Sequence, residues 1–326
     1  MKLGLFTDSL QVPFAQALDW VIENGFDAVE LGTGNYSPAR HCELETLLKD
    51  ENARAKFKDA LASRGLMLSA LNCSGRILDP QMDQREKAQA VFFQTIELAR
   101  KLDVNTVVSL AGCPGEPGGS TYPNWIAHYW PCELSELYRW QWDEEVSPFW
   151  TKAAQFAADH GVRIAIEMHP AQVAYNTSTL LRLREIAGPN LGANFDPSHL
   201  FFQGMDPIRV IRALGPNVIF HVHAKDARMD PDEMAINGGF DSRGEKQITE
   251  RAWAYRTVGF GHTEAWWRDF VCALRAVGYD GVLSIEHEDL MMSATEGIIK
   301  SVEFLKPILL RTKPEEDLPW VVTDSS

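Results

Sequence analysis

Two hydrophobic periods take turns along the whole chain. KLGLF (2–6) is a short apolar run, and FAQALDWVIENGF (14–26) follows with apolar positions at helical spacing and Gly25 as its stop. The same pair recurs as AVELG (28–32) before ENARAKFKDALASRG (51–65), LMLSALN (66–72) before REKAQAVFFQTIELARKLD (85–103), and TVVSLAG (106–112) before SPFWTKAAQFAADHG (147–161). RIAIE (163–167) then precedes STLLRLREIAG (178–188), and GANFD (192–196) precedes DPIRVIRALG (206–215). FHVHAKD (220–226) precedes HTEAWWRDFVCALRAVG (262–278), and VLSIE (282–286) precedes ATEGIIKSVEFLKPILL (294–310). Eight strands and eight helices in strict alternation predict an α/β fold, a single (β/α)₈ TIM barrel over residues 1–310. An irregular tail, 311–326, follows it, with Trp320 as a candidate anchor to the surface.

A typical barrel needs about 250 residues, and this chain has 326. Two long loops hold most of the excess: 112–145 after the fourth strand and 227–261 after the seventh. Both leave strand C-termini, so both lie on the face where such barrels build their sites.

Composition narrows the function classes. The chain is 45% apolar with no run of about 18 apolar residues, so no membrane span is expected. The N-terminus lacks the apolar core of a signal peptide. Five cysteines without a CxxC pair read as reduced thiols in a cytoplasmic protein. A net charge of −14 argues against a nucleic acid partner, which calls for a basic face. Walker, Rossmann and GxSxG patterns are absent.

The chemistry is concentrated at four strand ends. Glu167, Asp196, His223 and Glu286 close the fifth to eighth strands, where a barrel brings distant residues together. Carboxylates buried in a barrel mouth need a cation. Three carboxylates and one imidazole form an oxygen-rich set suited to Mn²⁺ or Mg²⁺, and compatible with Co²⁺ or Zn²⁺. His169 and Lys225 lie two residues beyond a ligand and point the same way, which makes them candidate substrate contacts. His41 and Asn72, after the second and third strands, are weaker candidates. His221 lies deeper than His223 and reads as its support or as core. His287 and Glu288 read as supporting or surface groups.

The first long loop holds Trp125, Trp130, Trp140 and Trp142, rings able to stack on a sugar face or an aryl group, or to pack the loop onto the barrel. Trp150 reads as core of the following helix. His128 is the titratable imidazole of this loop and a candidate acid or base. In the second loop Arg243, Lys246, Arg251 and Arg256 are candidates for an anionic or hydroxyl-rich ligand, and GFGH (259–262) is a glycine-rich turn without phosphate-cradling spacing.

On these residues the chain resembles the xylose isomerase-like TIM-barrel superfamily over roughly 1–310. The HVHAKD and SIEHED strings are the most specific part of the match. The resemblance implies one divalent metal, often Mn²⁺, on Glu167, Asp196, His223 and Glu286, and a substrate contact from His199. The chain also departs from ketose 3-epimerases of that group. Val173 stands where they carry a second Glu, and Met229 where they carry an Arg, with Arg228 beside it as the nearest substitute. It is also similar to the catalytic subunits of 3-oxo-glucoside C-deglycosidases.

The expectation is therefore a metal-dependent sugar isomerase or epimerase acting on a keto sugar through an enediolate, with Glu167 and Glu286 moving protons on two sides of the substrate. The alternative is a lyase that expels a leaving group from a 3-oxo-glycoside or dehydrates an inosose through the same intermediate. A metal phosphodiesterase would need more histidines and a basic surface, and a non-enzymatic sugar-binding barrel would not need the ligand set. A homo-oligomer is expected, and a companion subunit is compatible with the chain.

Overall fold

Eight parallel strands close into a barrel. The computed structural model describes residues 1–128 and 130–313; the predicted anchor Trp320 and most of the tail lie outside the described residues. The barrel strands are β1 (Lys2–Phe6), β2 (Ala28–Gly32), β3 (Met67–Asn72), β4 (Thr106–Leu110), β5 (Arg163–Glu167), β6 (Leu191–Phe195) and β7 (Ile219–Ala224). A hairpin of β8 (Asp226–Met229) and β9 (Trp253–Arg256) stands outside the ring. β10 (Val282–Ile285) is the eighth barrel strand and closes the ring between β1 and β7. Each strand read from the apolar pattern is present within two residues of its expected ends. Such runs are buried on both faces, since helices cover the outside and side chains fill the inside.

The helices stop where their punctuation says. Helix Thr177–Ala187 starts at Asn176, whose side chain accepts from Thr179 N–H, and helix Pro207–Leu214 starts at Asp206. Gly188 and Gly215, at φ 93° and 70°, end them. Among the described residues no helix is long and apolar enough to cross a membrane.

The first insertion is only partly loop. Helix Glu133–Trp140 runs through a π-helical turn, Gln141–Val146, into helix Ser147–Asp159. The tryptophans expected over the site therefore separate. Trp142 is fully buried in the core, with the Arg182 guanidinium 4.1 Å from its ring centre. Trp130 is 77% exposed. Trp150 is core, as the pattern predicts, and donates from Nε1 to Ala111 O. Gln141 ties the remaining coil down by donating to the carbonyls of Pro114, Gly115 and Asn124.

The second insertion carries the β8–β9 hairpin and helix Pro231–Asn237. Its glycine-rich turn cradles a carboxylate of the protein itself. Asp226 Oδ2 accepts from the backbone N–H groups of Gly259, Gly261 and His262 and from Trp267 Nε1, at 3.0 to 3.2 Å. His262 Nδ1 sits 2.7 Å from Asp226 Oδ1. A Cβ on Gly261 would fall 2.4 Å from that oxygen, so only glycine lets the turn close.

Candidate functional site

The ends of β5, β6, β7 and β10 bring Glu167, Asp196, His223 and Glu286 into one cluster. Each offers a ligand atom, and these atoms lie within 4.8 Å of one another. His223 Nδ1 stands 3.2 Å from Glu167 Oε2 and 3.3 Å from Glu286 Oε2. Asp196 is fixed by accepting from Ser198 N–H through Oδ1. Its Oδ2 is buried without a hydrogen-bond partner. His199 Nε2 lies 3.3 Å from that oxygen but directs its hydrogen to Glu167 Oε1 at 3.0 Å. A buried carboxylate oxygen that receives no hydrogen bond, beside two more carboxylates and an imidazole, fits a divalent cation.

The sequence reading missed Glu30. It ends up fully buried on β2, in a strand whose other residues are apolar. His223 Nε2 lies 3.0 Å and 3.1 Å from its two oxygens. Ser284 Oγ and Asn72 Nδ2 donate to the same carboxylate at 2.7 Å and 2.9 Å. With Nε2 held by Glu30, Nδ1 is the nitrogen left facing the cluster, the one a metal would take once the ring gives up its second proton. Asn194 Nδ2 donates to Glu167 Oε2 and lies 3.2 Å from His223 Nδ1. His221 holds Asn194 by its carbonyl oxygen at 3.0 Å, the supporting role expected for the deeper histidine. An irregularity in the β6–β7 register sets Asn194 opposite His221.

Charge is dense here. Burial opposes ionisation of Glu167, but His199 and His223 outweigh it and hold the carboxyl well below its ordinary value. Burial likewise opposes protonation of His223, yet Glu30 and Glu286 raise it well above the usual imidazole range. His199, against Asp196 and Glu167, is raised to about 9 despite its burial. Its Nδ1 lies 2.9 Å from Tyr255 Oη. Lys225 is buried and shared by Glu288 at 2.6 Å, Glu286 at 2.9 Å and Asp196 at 3.5 Å.

A cavity of about 990 Å³ opens above the cluster. Asn72, Trp125, His169, His199 and Lys225, the expected substrate contacts, line it. His169 rests 4.2 Å from the His199 ring, and burial pushes it down to about 4. Three expected contacts lie elsewhere. His41 is buried and saturated by Thr7 Oγ1 and Val12 O, both at 2.8 Å. Arg228 points out of the hairpin into solvent. His128 is exposed on its loop, does not line the cavity, and accepts from Trp130 N–H. Arg251, a candidate for an anionic or hydroxyl-rich ligand in the sequence, also lines the cavity, and so do Asp8, Trp253 and Tyr255, which were not singled out. Burial raises Asp8 above the usual carboxyl range, against a hydrogen bond from Ser37.

The profile of the xylose isomerase-like TIM barrel family matches residues 18–308. The chain belongs to that family. It is 40% identical over 310 residues to YfiH of Bacillus subtilis, an uncharacterized protein, covering 94% of this chain and 98% of that one. Among solved structures, an IOLI protein with a bound zinc atom superposes with a TM-score of 0.65 at 18% identity, covering 95% of this chain and 98% of that one. A D-tagatose 3-epimerase-like protein gives 0.62 at 20% identity, covering 94% and 98%. These two share the fold.

Proposed function

We propose that this protein is a divalent-metal-dependent sugar isomerase or epimerase acting on a keto sugar. The observation that carries this is the placement of Glu167 and Glu286 carboxylate oxygens 3.2 Å and 3.3 Å from His223 Nδ1, with both residues lining the cavity. Glu167, Asp196, His223 Nδ1 and Glu286 are the proposed ligands of one ion, with Mn²⁺ as the first choice. The bound ion supplies Lewis acidity toward a sugar carbonyl and its neighbouring hydroxyl.

The protein's own groups do the rest. β6 and β7 stand between β5 and β10 in the ring, so a sugar seated over the cluster meets a carboxylate on each side. One group, as carboxylate, takes the proton from the carbon beside the carbonyl, and the other, entering the step as the carboxylic acid, gives its proton to the opposite face of the enediolate, so the two exchange protonation states in each turnover. His199 steadies Glu167 and Lys225 steadies Glu286, and both can donate to sugar hydroxyls. The hydrophobic rim of the cavity, including Trp125, excludes water from the intermediate.

A lyase is the second reading, favoured by the size and lining of the cavity. Tyr36, Trp125, Phe240 and Trp253 line space beyond that of a single sugar ring. A leaving group on the carbon next to the enediolate would be expelled into it. The test is incubation of Mn²⁺-loaded protein in D₂O with free ketoses and with 3-oxo-glucosides, followed by proton NMR. Deuterium at one carbon of a recovered epimer or aldose supports the isomerase. Release of an aglycone or water with an unsaturated product replaces it with the lyase. Absence of exchange on every substrate, equal in wild type and Glu286→Ala, would sink enediolate chemistry.

A further inference from the structure

Among the described residues, one cation lining the cavity has no carboxylate partner. Arg251 is 6% exposed and lines the cavity. Its guanidinium lies 4.5 Å from the ring centre of Trp253. That ring is stacked on Phe202 at 3.9 Å and fixed by donation from Nε1 to Gly239 O, so the platform is rigid. Arg251 Nε is buried without an acceptor among the described residues. Its neighbours are different. Arg243 is paired with Asp241 and Glu233, Arg256 with Asp289, and Lys225 with three carboxylates.

A desolvated guanidinium without a carboxylate is costly. The chain has 45 acidic residues from which a partner could have been drawn. The planar fork of arginine, stacked on an indole, is suited to bidentate capture of an oxyanion. We propose that Arg251 is the receptor for an anionic group, carboxylate or phosphate, on the substrate. The natural substrate is then an anionic keto sugar whose carbonyl end faces the Glu167–Glu286 cluster. This rests on the keto-sugar reading above.

The test is isothermal titration of the Mn²⁺-loaded full chain with three probes: D-fructose, D-fructuronate and D-fructose 6-phosphate. In wild type one of the two anions binds at least tenfold more tightly than the neutral ketose, and its identity separates carboxylate from phosphate. In Arg251→Met that preference shrinks to twofold or less while the affinity for D-fructose and the Mn²⁺ stoichiometry stay unchanged. If Arg251→Met fails to fold, Arg251→Gln reads the same loss. Equal binding of neutral and anionic probes by wild type overturns the proposal, as does a preference that survives in the variant. Wild type that holds Mn²⁺ and binds none of the three overturns the keto-sugar reading itself, a separate result.

Discussion

His223 and Glu30 are 193 residues apart in the chain, and the imidazole Nε2 sits 3.0 Å and 3.1 Å from the two carboxylate oxygens. That contact turns Nδ1 toward Glu167 and Glu286. Partners of this kind tune a ligand's basicity and orientation, and losing one typically costs about 10–100-fold in metal affinity. Glu30→Gln should therefore weaken Mn²⁺ and Zn²⁺ binding by roughly that factor while the protein still folds. Competition against a chelator measures it. Wild-type affinity in the variant would remove Glu30 from the metal site.

Acid should compete with the metal. Glu30 and Glu286 outweigh burial and raise His223 well above the ordinary imidazole value, so the metal-free imidazole is protonated at neutral pH. Only the neutral ring binds a cation, so binding releases that proton. Affinity should keep rising with pH beyond the ordinary imidazole value of 6.5. A profile that levels off near the ordinary value of 6.5 would show that the carboxylates do not hold the proton on His223.

Two tryptophans of one insertion should behave oppositely. Trp142 is fully buried and Trp130 is 77% exposed. Trp142→Ala should cost about 3–5 kcal/mol of stability, and Trp130→Ala should stay within about 0.5 kcal/mol. Urea denaturation of both variants decides. Similar losses would mean that the helical path through Gln141–Val146 is wrong.

Asp226 is the pin of the second insertion. It accepts from three backbone N–H groups of the turn 259–262 and from Trp267 Nε1. Asp226→Ala leaves these donors without a partner, at about 1–3 kcal/mol for each that stays dry. The expected result is a fall in thermal midpoint with faster amide exchange concentrated in 257–262. Exchange unchanged there would show that the turn is held by other contacts.

Local pattern carried much of this protein. An apolar run that will be buried on both faces looks different from a helical stripe, so the eight alternations and the barrel were legible residue by residue. Barrel geometry then placed the ends of β5, β6, β7 and β10 on one rim, which made Glu167, Asp196, His223 and Glu286 legible as a set. Glu30 was not legible, because a single acid in AVELG has no local signature. It becomes a partner of His223 only when the ring closes. Arg228 and Arg251 were both candidate ligand contacts in the sequence, and the fold of the second insertion sent one to solvent and the other to the cavity. Trp130 and Trp142 were divided by a helical turn that the loop composition did not announce. Periodicity reports which face of an element is buried. What that face meets is set by closure and register between segments far apart in the chain, and that only the tertiary structure decides.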